Sequence, residues 1–544
     1  MRLEILDYNS MSIRRHIHIK SDPACQPWVG LLPVLEHLLP VKLDVNVGMP
    51  DVGSGVMVME GPVDVEGASN YSHAQTLTVP RSPASTPAKL VEINVVFSND
   101  FVVPFPYQGR SLRTKVAVKP ETLSLRGNER ILATSDGHPV WVVLEEAGVK
   151  HFRSGFALPE IESCAGIKDV LNEERFMEML PMLHWIRELC TKTAYEDPPL
   201  RACFIFDDPN LHWTSYGFVD FQKIAERAAR FNYHVTFATI PLDAWFAHEA
   251  TAQVFRNNPR HLSLTVHGND HTKQELARNY TPEARVFLLR QAIHRIERLE
   301  ARTGVPVCRV MVPPHGACSE AMLAELPGCG FEAACISHGS LRAHNEGKSW
   351  ARHVGYFPSE LVQDCPVLPR WGFSANSKNA VLLAAFLRQP MVFRGHHQDL
   401  KAGVELLDEL AEFINGLGTV SWSNLTSLCR MNYQWKMDGA TCRIRPLGSR
   451  IILQTPKQTA QFVIESPFQH DRKSWKITGV SGSVLEANPE EPVLLPETFK
   501  GKISMVVNSE PLPELAEIQP NRPVIWPFFR RLLAEGRDRF LPVS

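Results

Sequence analysis

Four short clusters of ionisable residues each follow an apolar run. Asp207 and Asp208 follow Ala202–Phe206. His267, Gly268, Asn269, Asp270 and His271 follow Leu262–Val266. Pro313, Pro314, His315 and Gly316 follow the run at 307–312, and His396 and His397 follow Met391–Arg394 and Gly395. Adjacent carboxylates after a buried strand point in different directions, so one can bind a metal while the other takes a proton from water. Two histidines four apart share a face if the second lies in a first helical turn. Their neutral nitrogens suit zinc or another transition ion. One added carboxylate makes three ligands and leaves positions open, as a catalytic metal site needs. Two prolines and Gly316 stiffen a strand exit that can aim a backbone N–H at a developing oxyanion. A histidine at a strand end can protonate a leaving group. Each cluster alone has a plainer reading: capping aspartates before Pro209, a solvated histidine pair, a rigid turn, two ordinary histidines. Their shared position after several strands favours chemistry.

The runs that carry these clusters alternate with amphipathic helices from about Arg201 onward. Strands are expected at 202–206, 234–240, 262–266, 307–312, 331–337 and 391–394, and helices at 218–231, 320–326 and 403–415. Thr281 is a good N-cap, and Pro282 at the first helical position opens a helix to about Arg302. Repeated strand–helix alternation implies a parallel sheet or a (β/α) barrel. In such a barrel the active site lies at the carboxyl ends of the strands, where the four clusters fall.

The flanks read differently. Residues 1 to about 195 hold short apolar stretches such as Leu90–Phe97 and Val140–Leu144, and the stretch 67–88 reads as a long polar loop. A helix is expected over 172–191 from the spacing of Phe176, Met179, Leu180, Leu183, Ile186 and Leu189, kinked by Pro181. Residues 194–200 form a linker candidate. After Tyr433, short alternating strands suggest an all-β module, a sandwich over about 435–510. The basic tail from Leu515 is expected to cap the main domain.

Composition sets the frame. The chain has 544 residues, 44% of them hydrophobic and 21% charged, with a net charge of -2, so it is an ordinary globular chain rather than a disordered one. That balance argues against a nucleic-acid binder or a polybasic membrane anchor. The N-terminus MRLEILDYNS has no apolar signal core, and the longest apolar run, about Ala380 to Leu387, is far below the ~18–20 residues of a membrane span. A soluble, cytoplasmic protein is expected. The 11 cysteines form no CxxC pair, so reduced, buried thiols are expected rather than a disulfide framework.

Taken together, the clusters resemble the motifs of the polysaccharide deacetylase family, the NodB-homology or carbohydrate esterase family four domain. Ile205-Phe206-Asp207-Asp208 resembles its first motif, T-F-D-D. His267 to His271 resembles its H-[ST]-x-x-H motif, with Gly268 at the Ser/Thr position. Val312-Pro313-Pro314-His315-Gly316 resembles R-x-P-Y-G, and His396 or His397 resembles the late histidine. The order holds across residues 201 to 432.

The resemblance implies a distorted (β/α) barrel and a zinc-like divalent ion held by Asp208, His267 and His271. It implies Asp207 as the general base, His396 or His397 as the acid, and the His315 N–H, between Pro314 and Gly316, at the oxyanion. Val312 stands where the family has an arginine that orients the base, and Arg370 could substitute in space. Trp371 would supply an apolar acetyl pocket. The I/F-D-D-P start and the H-G-x-x-H motif are closer to a subgroup whose substrates are less well defined.

The expected fold class is thus α/β, in three parts. Residues 1–195 form an N-terminal α/β or β-rich accessory domain, 196–432 the deacetylase-like barrel, and 433–544 a small C-terminal all-β module with a tail. The expected function is a metal-dependent hydrolase acting on C–N bonds, which removes an acyl group, N-acetyl above all, from a glycan or sugar intermediate. The alternatives are a non-catalytic carbohydrate-binding relative and a scaffold in a polysaccharide biosynthesis complex.

Overall fold

Arg201–Asp207 (RACFIFD) is buried along its whole length, which is the signature of a strand covered on both faces of a parallel sheet. It is β1 of the central sheet in the computed structural model. The structure describes residues 15–21, 30, 32–45, 54–60, 73–80, 89–159, 166–191, 195–468, 474–507, 529, 532, 533 and 536. The other strands of this sheet are β2 (Val235–Thr239), β3 (Leu262–Val266), β4 (Val307–Met311), β5 (Ala333–Ile336), β6 (Glu360–Val362), β7 (Cys365–Pro369), β8 (Trp371–Gly372), β9 (Met391–Gly395) and β10 (Ser421–Trp422). Their order is β6-β7-β5-β4-β3-β2-β1-β9-β8, with β10 on β1. All pairs are parallel except the β6–β7 hairpin.

The sheet is curled and barrel-like, and its seam explains the distortion. Pro369 of β7 pairs with Ile336 of β5, and Trp371 of β8 pairs with Phe393 of β9. One continuous run, 365–372, therefore lies next to one edge strand and forms the other edge, and Arg370 sits at the crossing. Cys203, Ile205, Val310, Val312, Cys335, Leu368 and Val392 form one core cluster, with Leu425, Leu428 and Cys429 from the helix Leu425–Arg430. Side chains alternate along a strand. Asp207 thus shares the face of Cys203 and Ile205 and stands where that core opens.

Helices α1 (Phe221–Phe231) and α2 (Pro282–Thr303) end as their sequences require. Asp220 and Thr281 cap them by accepting the Lys223 and Ala284 N–H groups, and Asn232 and Gly304 close them with left-handed backbone. Residues 218–220, expected to open the helix 218–231, instead belong to a hairpin of Ser215–Tyr216 with Val219–Asp220.

The chain divides into two compact units. Residues 1–194, 348–357 and 379–387 make the first, and residues 195–347, 358–378 and 388–544 make the second. The first contains a nine-stranded sheet. Val41–Val45, Arg15–Ser21, Gly55–Glu60, Gln75–Pro80 and Val149–Ser154 run parallel in that order, and His138–Glu146, Arg130–Ser135, Val91–Phe97 and Ser111–Val116 continue it antiparallel. Gln75–Pro80 overturns the expected loop at 67–88, because β-branched Thr76, Thr78 and Val79 with Leu77 outweigh the turn-rich flanks. Residues 67–72 and 81–88 of that stretch lie outside the described residues. Pro181 does not kink a helix. It sits in the first turn of Leu180–Cys190, where its missing N–H costs nothing.

The second unit also holds two four-stranded sheets built from Tyr433–Val507. Residues of both sheets, among them Cys442, Ile444, Ile451, Phe462, Trp475, Ile477 and Met505, share one core, which makes a sandwich. The linker candidate is tied down: the Glu196 N–H donates to the Trp435 carbonyl at 2.7 Å. The expected capping tail from Leu515 lies outside the described residues apart from four positions. Nine cysteines are described, and all are buried and free of disulfides. Among the described residues no helix is long and apolar enough to cross a membrane.

Candidate active site

Three side chains converge just beyond the carboxyl ends of β1 and β3. Asp208 Oδ1 lies 2.9 Å from His271 Nε2 and 3.3 Å from His267 Nε2. One donor atom from each of the three falls within 4.8 Å of the others, the grouping a metal ion would need. The His267 Nδ1–H donates to the Val312 carbonyl at 2.8 Å. With Nδ1 so engaged, Nε2 is the ring nitrogen left to face Asp208, the orientation that outer partners give to ligating histidines.

The backbone that brings them together is unusual. Asp208, His271 and His315 have φ of 73°, 53° and 56°. A left-handed conformation costs an L-residue roughly 1–2 kcal/mol, with Asp among the more tolerant types. The expected helical turn at His267–His271 is not present. Residues 267–271 are irregular, and Gly268 (φ 65°) and His271 reverse the chain so that the two rings lie with centroids 5.0 Å apart. The His271 ring in turn lies 4.8 Å from the ring of the exposed His315.

Asp207 is separate from this group. It is 4% exposed, and Arg370 Nη1 lies 2.9 Å from each of its carboxylate oxygens. Burial works to raise the Asp207 carboxyl. The Arg370 charge, helped by His267 and His396, outweighs it and holds the carboxyl below its ordinary range. For Asp208, burial is again opposed, here by hydrogen bonds from His267 and His271, and the carboxyl is held well below its ordinary range. Burial pushes His267 down, but its hydrogen bond to Asp208 and the nearby charges of Asp207 and Asp208 raise it overall. Val312 is buried in the core, and Arg370 from the seam reaches the carboxylate instead.

The adjacent histidines diverge. His396 Nε2 lies 3.9 Å from Asp208 Oδ2, and the His396 N–H donates to Asp399 Oδ2 at 2.8 Å. His397 is buried beneath the 215–220 hairpin, with its ring 5.3 Å from Tyr216 and 5.8 Å from Phe218. A Cβ on Gly217 would fall 2.2 Å from its Nδ1. The structure therefore brings His396, not His397, to the cluster. Pro314 packs on Gly268, where a Cβ would fall 2.4 Å from Pro314 Cγ, and Gly316 (φ 67°) passes close to Ser340. Trp371 is buried edge-on to His338, 6.2 Å between centroids.

Sequence reasoning passed over Glu275. Its carboxylate, 1% exposed, accepts the backbone N–H groups of Asn269 and Asp270. Its one sequence signal is an acidic residue four places after His271 in an otherwise polar loop.

No family model and no curated protein matches the chain. Solved structures do. One is the carbohydrate deacetylase Agd3, 11% identical with a TM-score of 0.45, covering 91% of this chain and 99% of that one. Another is a family 4 carbohydrate esterase from Streptomyces lividans in complex with acetate, 10% identical with a TM-score of 0.27, covering 42% of this chain and 94% of that one. A third is BA3943 from Bacillus anthracis, a pseudoenzyme of the same esterase family, 12% identical with a TM-score of 0.26, covering 43% and 67%. The solved structures that this chain is similar to are thus carbohydrate deacetylases and family 4 esterases, with a pseudoenzyme among them.

Proposed function

We propose that this protein is a metal-dependent hydrolase that removes an acyl group, N-acetyl above all, from a glycan or sugar intermediate. The observation that carries the reading is the gathering of Asp208, His267 and His271 beside a second carboxylate, Asp207, which Arg370 holds ionised. One carboxylate oxygen and two imidazole nitrogens suit zinc, and three ligands leave coordination positions open. The Val312 carbonyl behind His267 fits the same purpose. A divalent ion bound there would supply Lewis acidity toward the acyl carbonyl and lower the pKa of water.

The chain's own residues would do the rest. Each oxygen of Asp207 keeps a second lone pair while Arg370 fixes the carboxylate plane, so Asp207 can take a proton from the attacking water. The hydroxide so formed adds to the carbonyl carbon. The His315 N–H, on the stiff turn between Pro314 and Gly316, would support the oxyanion. His396 would hand a proton to the leaving amine or alcohol as its bond to carbon breaks. Trp371 would wall the acyl methyl.

Elemental analysis of the purified full chain, followed by assay of acetate release from N-acetylated oligosaccharides, tests this reading. Metal with release supports it. Metal without release from a broad panel favours a non-catalytic carbohydrate-binding protein, and absence of metal after zinc loading defeats it.

A further inference from the structure

The loop that carries His267 and His271 is irregular, with left-handed backbone at Gly268 and His271, and its peptide groups need partners. We infer that Glu275 is a positioning residue whose carboxylate clamps the backbone of this loop and so holds His271 toward Asp208. Glu275 is 1% exposed. Its Oε2 accepts the Asn269 N–H at 2.8 Å and its Oε1 accepts the Asp270 N–H at 2.7 Å. Both oxygens thus serve the two consecutive peptides just before His271. Consecutive N–H groups around one anion form a nest, and charge-assisted bonds are stronger than neutral ones.

Other bonds tie the loop from its outer side. Arg295 Nη1 donates to Asp270 Oδ1 at 2.5 Å and to Asn269 Oδ1 at 2.7 Å, and Asn269 Nδ2 donates to Gln291 Oε1 at 2.7 Å. These reach the side chains of the loop, and Arg295 and the Leu242 N–H also donate to the Asn269 carbonyl, whereas Glu275 takes up the amide N–H groups of Asn269 and Asp270. Gly268 belongs to the same arrangement. A Cβ at 268 would lie 2.4 Å from Glu275 Oε2, so the carboxylate occupies the space a side chain there would use. The lack of a Ser or Thr at 268 and the presence of Glu275 are two sides of one packing solution.

The inference deepens the metal-site reading and rests on it only for its binding arm. The first test is hydrogen exchange on the full chain without metal. The amides of Asn269 and Asp270 are expected to be protected in the native protein and to exchange faster in Glu275→Gln, whose amide turns a donor toward a peptide N–H. The second test is zinc affinity by competition with a chromophoric chelator. Glu275→Gln is expected to weaken binding about 10–100-fold, the usual cost of an outer partner, to shift the visible spectrum of the cobalt-loaded protein, and to be partly rescued by Glu275→Asp. Unprotected amides in the native protein overturn the clamp even if no variant folds. A folded Glu275→Gln with native exchange and native zinc affinity overturns it too. A native protein that binds no zinc yet shows both amides protected defeats the metal reading and leaves the clamp standing.

Discussion

Left-handed backbone occurs at both ends of the central strands, but the two ends use it differently. At the amino ends, Asn232 before β2, Gly304 before β4 and Gly330 before β5 close the preceding helical turns, with φ of 52°, 65° and 95° and their N–H groups returned to Ala228, Glu300 and Pro327. Gly and Asn adopt this conformation cheaply. At the carboxyl ends the same conformation falls on Asp208, His271 and His315 as well as on Gly268 and Gly316. Arg388, with φ 58° before β9, and Gln363 and Asp364, with φ 50° and 60° before β7, are exceptions at the amino end. The charges differ as well. Arg309–Glu300 and Arg430–Glu332 are part-exposed pairs near the amino ends, whereas Asp207 and Arg370 are both nearly fully buried at the carboxyl end. The amino end mostly closes helices, with one buried charge, Arg201, held by the Arg388 carbonyl and Asn432, whereas the carboxyl end carries left-handed backbone on Asp and His beside a buried ion pair, as expected where side chains are aimed for chemistry.

The sharpest way to break this contrast is to remove a proposed ligand. His267→Ala or Asp208→Ala should abolish stoichiometric zinc and lower acetate release by more than the ~100-fold typical of an outer partner. Unchanged metal content in both, by elemental analysis, would show that the carboxyl-end cluster is not a metal site. Asp207→Asn should separate binding from chemistry. Zinc should stay, while acetate release falls by roughly 10²–10⁴-fold, the range for losing a general base. Full activity in this variant would remove Asp207 from the mechanism.

Arg370→Gln probes the buried pair directly. The folded-state pKa of Asp207 is depressed, so the pair stabilises the fold above the ordinary carboxylate range and loses that contribution as pH falls through the depressed value. At neutral pH the substitution should cost about 3–5 kcal/mol, as for breaking a buried ion pair, and the cost should shrink in acid. Without Arg370, burial dominates and raises the Asp207 carboxyl, so the acid limb of the rate profile should move to higher pH. A rate profile that does not move would separate Arg370 from the base.

Much of this contrast was legible in the chain. The strand 262–266 and the Thr281–Pro282 helix start are readable because the signals are local: a β-branched or apolar run, a cap, a proline at the first turn. The four clusters are readable because their residues follow strand ends directly, and the ends of β1, β3, β4 and β9 fall where expected. Contacts between distant segments are harder. Arg370 reaches Asp207 only because one run of chain crosses the barrel seam, which no local pattern encodes. His396 and His397 differ in placement through the conformation of the turn between β9 and residues 397–400, and adjacent identical residues carry no signal for that. Glu275 looks like a surface charge because its partners are peptide N–H groups, which have no sequence identity.

The smallest test asks whether the two ends really differ in what left-handed backbone is for. At Gly304 a Cβ would meet little, its nearest neighbour being Arg256 Cδ at 3.6 Å, so Gly304→Ala probes conformation almost alone. It should destabilise the protein by about 1 kcal/mol, since Ala must adopt φ near 65°, and leave zinc affinity and acetate release unchanged. His315→Gly is the mirror experiment. His315 is exposed and lies at φ 56°, so glycine relieves strain while its main-chain N–H remains. The variant should gain up to ~1 kcal/mol against denaturant, and any activity it loses would be the contribution of the imidazole beside His271. If His315→Gly is instead less stable, the His271–His315 ring contact outweighs the strain, and the carboxyl end is held together by the packing of its own site residues.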